Sequence, residues 1–182
     1  LSRTGAAAID PIELRISTTD QLFQSLDPFP FREKDLDAAA EDYIVGWARE
    51  LPRDGPLRIV VHLPQGEAGL PRAAEIGGAV ARFFAYRADR QSRDLAELFR
   101  IGRIALGVGI AIMVACLLLA SLSADYLAPG PLASLVQESF LILGWVANWR
   151  PLEIFLYDWW PVVRRRRLYC RLAAAKVELA GY

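Results

Sequence analysis

Apolar and polar positions alternate with period two from Ile12 to Ile16 (Ile-Glu-Leu-Arg-Ile), the signature of a half-buried strand. Ser17-Thr18-Thr19-Asp20 then supplies a capping hydroxyl and a first-turn acid for a short helix burying Leu22, Phe23 and Leu26. Asp27-Pro28-Phe29-Pro30-Phe31 stops it, because two prolines forbid helix continuation and hold the chain extended. From Asp35 to Leu51 the period changes to three and four. Leu36, Ala40, Tyr43, Ile44, Trp47, Ala48 and Leu51 make one apolar face, with Asp37, Glu41, Asp42, Arg49 and Glu50 opposite. A turn at Pro52 to Pro56 leads to Leu57-Arg58-Ile59-Val60-Val61-His62-Leu63, a second, more buried strand.

Pro71 is placed to open a further helix, with Ile76, Val80, Phe83 and Phe84 on its apolar side. No proline follows until Pro129, so one long helix is expected to lead from the soluble part into the apolar stretch. That stretch dominates the chain: from Ile104 to Trp149 there is no Lys or Arg in 46 positions. It divides into apolar runs at 104–123 and 132–149 around a turn at Asp125 to Pro131. Each approaches the roughly 20 residues needed to cross a hydrocarbon core of about 30 Å. The expected fold is therefore an α+β cytoplasmic head (β-α-α-β-α) followed by an α-helical transmembrane hairpin. The corresponding domains are the head at 1–81, a basic membrane-proximal helix at 82–103, the hairpin at 104–149, and an interfacial aromatic and basic segment at 150–182.

Charge sharpens this division. The 182 residues carry 21 basic and 21 acidic groups, yet basic groups gather where the chain enters and leaves the apolar stretch. By the positive-inside bias both termini are expected to be cytoplasmic, with the spans in an inner membrane. Trp145, Trp149, Tyr157, Trp159 and Trp160, with Arg150, Glu153 and Asp158, are candidate interfacial anchors. An alternative arrangement is one tilted helix from Leu132 to Val163 with Arg150 and Glu153 paired one turn apart. Arg100, Arg103 and Arg164 to Arg167 are the candidate contacts to anionic lipid, a simpler partner than nucleic acid so close to apolar spans. The small residues of Gly107 to Ala111, with Ala115, Ala120 and Ser121, suit close packing against another helix.

Candidate chemistry is sparse. His62 is the only histidine and has no nucleophile whose proximity the sequence supports. Gly66-Glu67-Ala68-Gly69 and Gly77-Gly78 match neither of the common phosphate-binding glycine patterns. Cys116 and Cys170 belong to no metal or redox spacing, and no cofactor is implied. Gln137 and Glu138 are the notable polar pair, since a carboxylate in an apolar span marks a helix contact or a wet lining unless it reaches the interface.

Gly144 to Pro161 (Gly-Trp-Val-Ala-Asn-Trp-Arg-Pro-Leu-Glu-Ile-Phe-Leu-Tyr-Asp-Trp-Trp-Pro), with Ser25-Leu26-Asp27-Pro28 and the Glu41 to Pro52 helix, resembles an uncharacterised family of predicted bacterial two-span membrane proteins. The resemblance implies no activity or ligand. The functional expectation is a non-enzymatic, membrane-anchored accessory, scaffold or assembly subunit, acting through lipid and protein contacts or as a homo-oligomer. Two alternatives remain: a channel or transporter-like oligomer lined by Gln137 and Glu138, and an enzyme with its site on the head.

Overall fold

Alternation in Ile12–Arg15 (β1) and Arg58–Leu63 (β2) turns Ile12, Leu14, Ile59, Val61 and Leu63 to one side, and all five are buried. In the computed structural model, which describes residues 11–23, 35–52, 55–126 and 130–182, these strands pair in parallel. A third strand, Lys176–Gly181 (β3), pairs in parallel on the other side of β2, giving the order β1-β2-β3. Register aligns Ile12 with Ile59 and Ile59 with Val177, so the inner face is apolar across the sheet. Between β1 and β2 lie a 3-10 turn at Thr19–Leu22 and helix α1 (Ala38–Glu50), whose Asp37 cap accepts a hydrogen bond from the Ala39 N–H at 2.9 Å. A short helix α2 (Gln65–Ala68) follows β2, and α3 (Pro71–Tyr126) runs for 56 residues. Then come α4 (Pro131–Ala147), α5 (Trp149–Glu153), a π-helical turn (Ile154–Asp158) and α6 (Trp159–Ala173).

The chain forms two compact units, Leu1–Arg90 with Arg164–Tyr182, and Gln91–Val163. In the first, Ile44, Val45 and Ala48 of α1, Ile76, Val80, Phe83 and Phe84 of α3, and Leu172 of α6 join the buried face of the sheet in one core. Parallel sheets ordinarily bury both faces. Here the opposite face carries Glu13, Arg15, Arg58, His62, Lys176 and Glu178, and it is laced by its own ion pairs. Arg58 and Lys176 form these pairs with Glu178, at 2.7 and 2.9 Å; the His62 ring lies 3.7 Å from a Glu13 carboxylate oxygen. Hydrogen bonds from Lys176 and Arg58 hold the Glu178 carboxyl below the usual carboxylate range.

One polar cluster enters the core. Glu41 of α1 accepts a charge-assisted hydrogen bond from Arg87 of α3, and the Tyr169 hydroxyl of α6 lies 3.5 Å from its other oxygen. The Arg87 guanidinium also sits over the Phe83 ring at 5.1 Å, and Tyr169 stacks on Phe84. Desolvation, and then the negative charge of Glu41, push the Tyr169 phenol up from its ordinary value. One carboxylate thus fastens three helices together.

The expected fold is corrected in two respects. The head is not a two-stranded β-α-α-β-α unit, because Lys176–Gly181 supplies a third strand. Nor is there a transmembrane hairpin: among the described residues only one helix, Ala73–Tyr126, is long and apolar enough to cross a membrane. α4 has 17 residues, about 25 Å at 1.5 Å per residue, short of a hydrocarbon core of about 30 Å. It ends where Asn148 turns the chain at φ −92°, ψ −2°. With a single candidate span, the inner-membrane placement with both termini cytoplasmic loses its basis, since that placement requires an even number of crossings. The readings made for Leu26 and the Asp27 to Phe31 segment, and for 127–129 of the turn, fall outside the described residues.

Glu41→Ala is expected to lower the stability of the folded chain by about 2 kcal/mol in chemical denaturation, because it strands a largely desolvated Arg87 charge; partial exposure of that arginine keeps the cost below that of a fully buried pair. Glu41→Leu with Arg87→Met should recover most of the loss, and failure to do so would show that packing rather than stranded charge sets the effect. Because the folded state disfavours ionised Tyr169, the stability this group contributes is complete below its ordinary pKa of about 10. It is lost as pH rises through the raised folded value, and Tyr169→Phe should flatten that alkaline decline.

Candidate helix-contact and membrane surface

In the unit formed by Gln91–Val163, α3 and the helices after Pro131 meet along a seam of small residues. Gly102, Gly109 and Cys116 recur every seven positions on α3, and all three are buried. A Cβ on Gly102 would stand 2.9 Å from Ile154 and 3.1 Å from Phe155. One on Gly109 would stand 2.7 Å from Asn148 Oδ1 and 3.1 Å from the Ala147 carbonyl oxygen, and one on Gly144 would meet Met113 Sδ at 2.8 Å. The backbones therefore approach as closely as they do only because these positions lack side chains. Asn148 adds the polar link: its amide Nδ2 donates to the Gly109 carbonyl at 3.0 Å and to the Gly144 carbonyl at 2.9 Å. Gly107, two positions from Gly109, faces open space.

The π-helical turn fits the same seam. It widens the helix where Ile154, fully buried, and Phe155 both reach Gly102, and Phe155 stacks on Phe99 at 6.0 Å between centroids. The Trp159 indole N–H donates to the Phe155 carbonyl at 3.0 Å, occupying a group in the irregular turn.

Away from the seam the surface is apolar. On α3, Ile104, Val108, Ile110, Ile112, Val114, Leu117, Leu118, Leu119 and Leu122 are exposed, and only 11% of its most apolar stretch is buried. At roughly 100° per residue these side chains point in every direction except the sector of roughly 120° that faces the seam. The helices after Pro131 repeat the pattern with Leu132, Leu135, Leu141, Ile142, Leu143 and Val146.

The candidate residues fall into distinct settings. Gln137 is half-buried on the seam side of α4, whereas Glu138 is exposed, roughly 100° round the helix. It shares the outer face with Leu135, Ile142 and Trp145, so the two polar side chains do not line one path within a single copy. Trp145 and Trp149 are exposed and form a shallow open groove with Val146 and Arg150. Arg150 is bound to Glu153 at 2.9 Å and to Asp158 at 3.3 Å. Tyr157 and Trp160 are exposed, and Trp159 is half-buried. Arg100 donates twice to Glu97, at 2.7 and 2.8 Å, while Arg103 is exposed. Arg164 to Arg167 are all exposed on α6.

Elsewhere, His62 lies on the charged face of the sheet, and Glu67 accepts from the Thr19 N–H and hydroxyl at 3.3 and 3.4 Å, a tie within the fold. Cys116 is buried in the seam and Cys170 is exposed. Sequence reasoning missed Asn148 and the Glu41, Arg87 and Tyr169 cluster. The first had a usable signal, an amide residue seven places before Phe155 with glycine four places earlier. The second had none, because its members lie on three separate helices.

Comparison with protein-family models, with curated proteins and with solved structures finds no match. The resemblance drawn from Gly144 to Pro161 to a two-span membrane family is accordingly withdrawn: no matching family was found, and among the described residues there is one candidate span where that family would have two.

Gly109→Ala is expected to destabilise the helix pair by about 1–3 kcal/mol, since its Cβ must displace the Asn148 amide and the Ala147 carbonyl. Gly107→Ala should be neutral or stabilising by up to about 1 kcal/mol, as it removes only a weak helix former. Thermal melting of the two variants in one mild detergent checks both, and equal melting points would refute the seam as the source of the difference.

Proposed function

We propose that this protein works by binding, as a non-enzymatic membrane-associated scaffold or accessory subunit. The apolar helix suits it to membrane association, and the observation that supports the reading is the arrangement of its exposed side chains. A docking face for one protein is a patch, whereas these residues surround both helices except at their mutual seam, which fits an isotropic apolar solvent such as lipid. The other unit, with its charged sheet face and its α1 surface of Tyr43 and Trp47 exposed, is left to meet protein partners. Arg103 and the aromatic residues Trp145, Trp149, Tyr157 and Trp160 act at the lipid boundary in this reading.

A second reading, self-association with Glu138 at the contact, has one observation in its favour. Glu138 is an exposed carboxylate among exposed apolar side chains, and a carboxylate placed against hydrocarbon costs several kcal/mol unless it is wet or partnered. In a second copy it would gain both.

The full chain is expected to float with neutral phosphatidylcholine vesicles and to resist alkaline extraction. Ile110→Asp with Leu118→Asp should weaken partitioning by roughly ten-thousandfold, at about 3 kcal/mol per acid. Recovery of the wild-type chain wholly in the aqueous fraction would overturn the reading. Native mass in the same preparation separates the two versions: a stoichiometric foreign partner marks an accessory subunit, whereas a multimer of this chain that Glu138→Ala dissociates marks self-association.

A further inference from the structure

The arginines near the apolar helices are not equivalent, and the difference lies in which of them are already neutralised. Arg100 is saturated by Glu97 through two hydrogen bonds, and Arg150 is held between Glu153 and Asp158. Arg164, Arg165, Arg166 and Arg167 are all exposed, and among the described residues none of them forms an ion pair. No Asp or Glu occurs anywhere in α6, Trp159–Ala173, so the helix offers them no internal partner. Four consecutive residues sweep through roughly 300° of the helix circumference. A single carboxylate or one flat protein face cannot meet such a collar, and Arg164 and Arg167, three apart, repel each other along the helix.

The geometry points to Arg164 to Arg167 as a docking collar for the anionic headgroups of a lipid bilayer. A headgroup layer is a diffuse field of phosphates, and it neutralises guanidinium groups whatever their direction around the helix. In sequence the collar follows closely on Trp159 and Trp160, the first residues of α6 and side chains of the kind that prefers the boundary between hydrocarbon and water. This assignment deepens the membrane reading and rests on it. It also removes Arg100 from the candidate contacts to anionic lipid, since it would have to give up its existing carboxylate.

The test uses the full chain in a neutral detergent, titrated with mixed micelles containing phosphatidylglycerol or only phosphatidylcholine, at low and at physiological salt. Wild-type protein is expected to prefer the anionic micelles, with a preference that falls as salt rises. Each Arg→Gln change in the collar should weaken that preference by about fivefold, and the quadruple variant by more than about a hundredfold. The quadruple Arg→Lys variant should stay within about threefold of wild type, because the contact is one of charge, and Arg100→Gln should do the same. A quadruple Gln variant that keeps the preference within about threefold overturns the assignment, as does a Lys variant as weak as the Gln one. Tighter binding of a single-stranded RNA oligomer than of anionic micelles also overturns it and makes nucleic acid the occupant. Failure of the wild type to enter neutral vesicles would instead defeat the apolar-belt reading, which the micelle titration does not probe.

Discussion

Parallel pairing of β3 with β2 is the constraint on which the rest depends. A parallel neighbour cannot be reached by a tight turn; the chain must leave the end of one strand and return to the start of the next. In most small α/β units a single helix makes that connection. Here it is made by everything from α2 to α6, so the apolar helices are the crossover of a three-stranded sheet. The sheet needs them for its topology. It also needs α3 and α6 directly, because Phe84 and Leu172 are fully buried in its core.

Within the unit of Gln91–Val163 the seam fixes the outgoing and returning helices against each other with little polar chemistry. Three glycines set the distance, and the Asn148 amide, bonded to a carbonyl on each helix, sets the longitudinal position. Slipping either helix by one residue would place a side chain where Gly102 or Gly109 now admits its neighbour. The π-helical turn makes a related adjustment. It rotates the helix beyond Asp158, which allows Ile154 and Phe155 to share the space opposite one glycine.

Much of this was visible in the sequence where the pattern was local. β1 and β2 announce themselves by alternation, and α1 by its apolar stripe. β3 does not: Lys-Val-Glu-Leu-Ala-Gly is short, carries two charges and follows a basic helix, so it reads as tail until a partner strand is known. The single-span outcome was hidden for a different reason. Runs of apolar residues on either side of a turn look alike by composition, but the second is cut short by the backbone break at Asn148, whose amide also bonds to Gly109 on the other helix. For the surface, composition identified which arginines flank the apolar stretch, yet only the folded chain shows that Glu97, Glu153 and Asp158 already occupy two of them. Arg150 with Glu153 was legible as a pair one turn apart; its second partner, Asp158, required the widened turn.

The pairing of Arg58 with Glu178 joins residues 120 positions apart, and this separation has a kinetic side. β1 and β2 emerge early in synthesis, yet a two-stranded sheet is marginal, and their remaining edge stays open until the whole apolar segment has been made. An edge of that kind invites pairing with other chains. Charged residues on the outer face, Arg58 among them, are of the kind that discourages such pairing, and closure of the sheet has to wait until Lys176–Gly181 has been made.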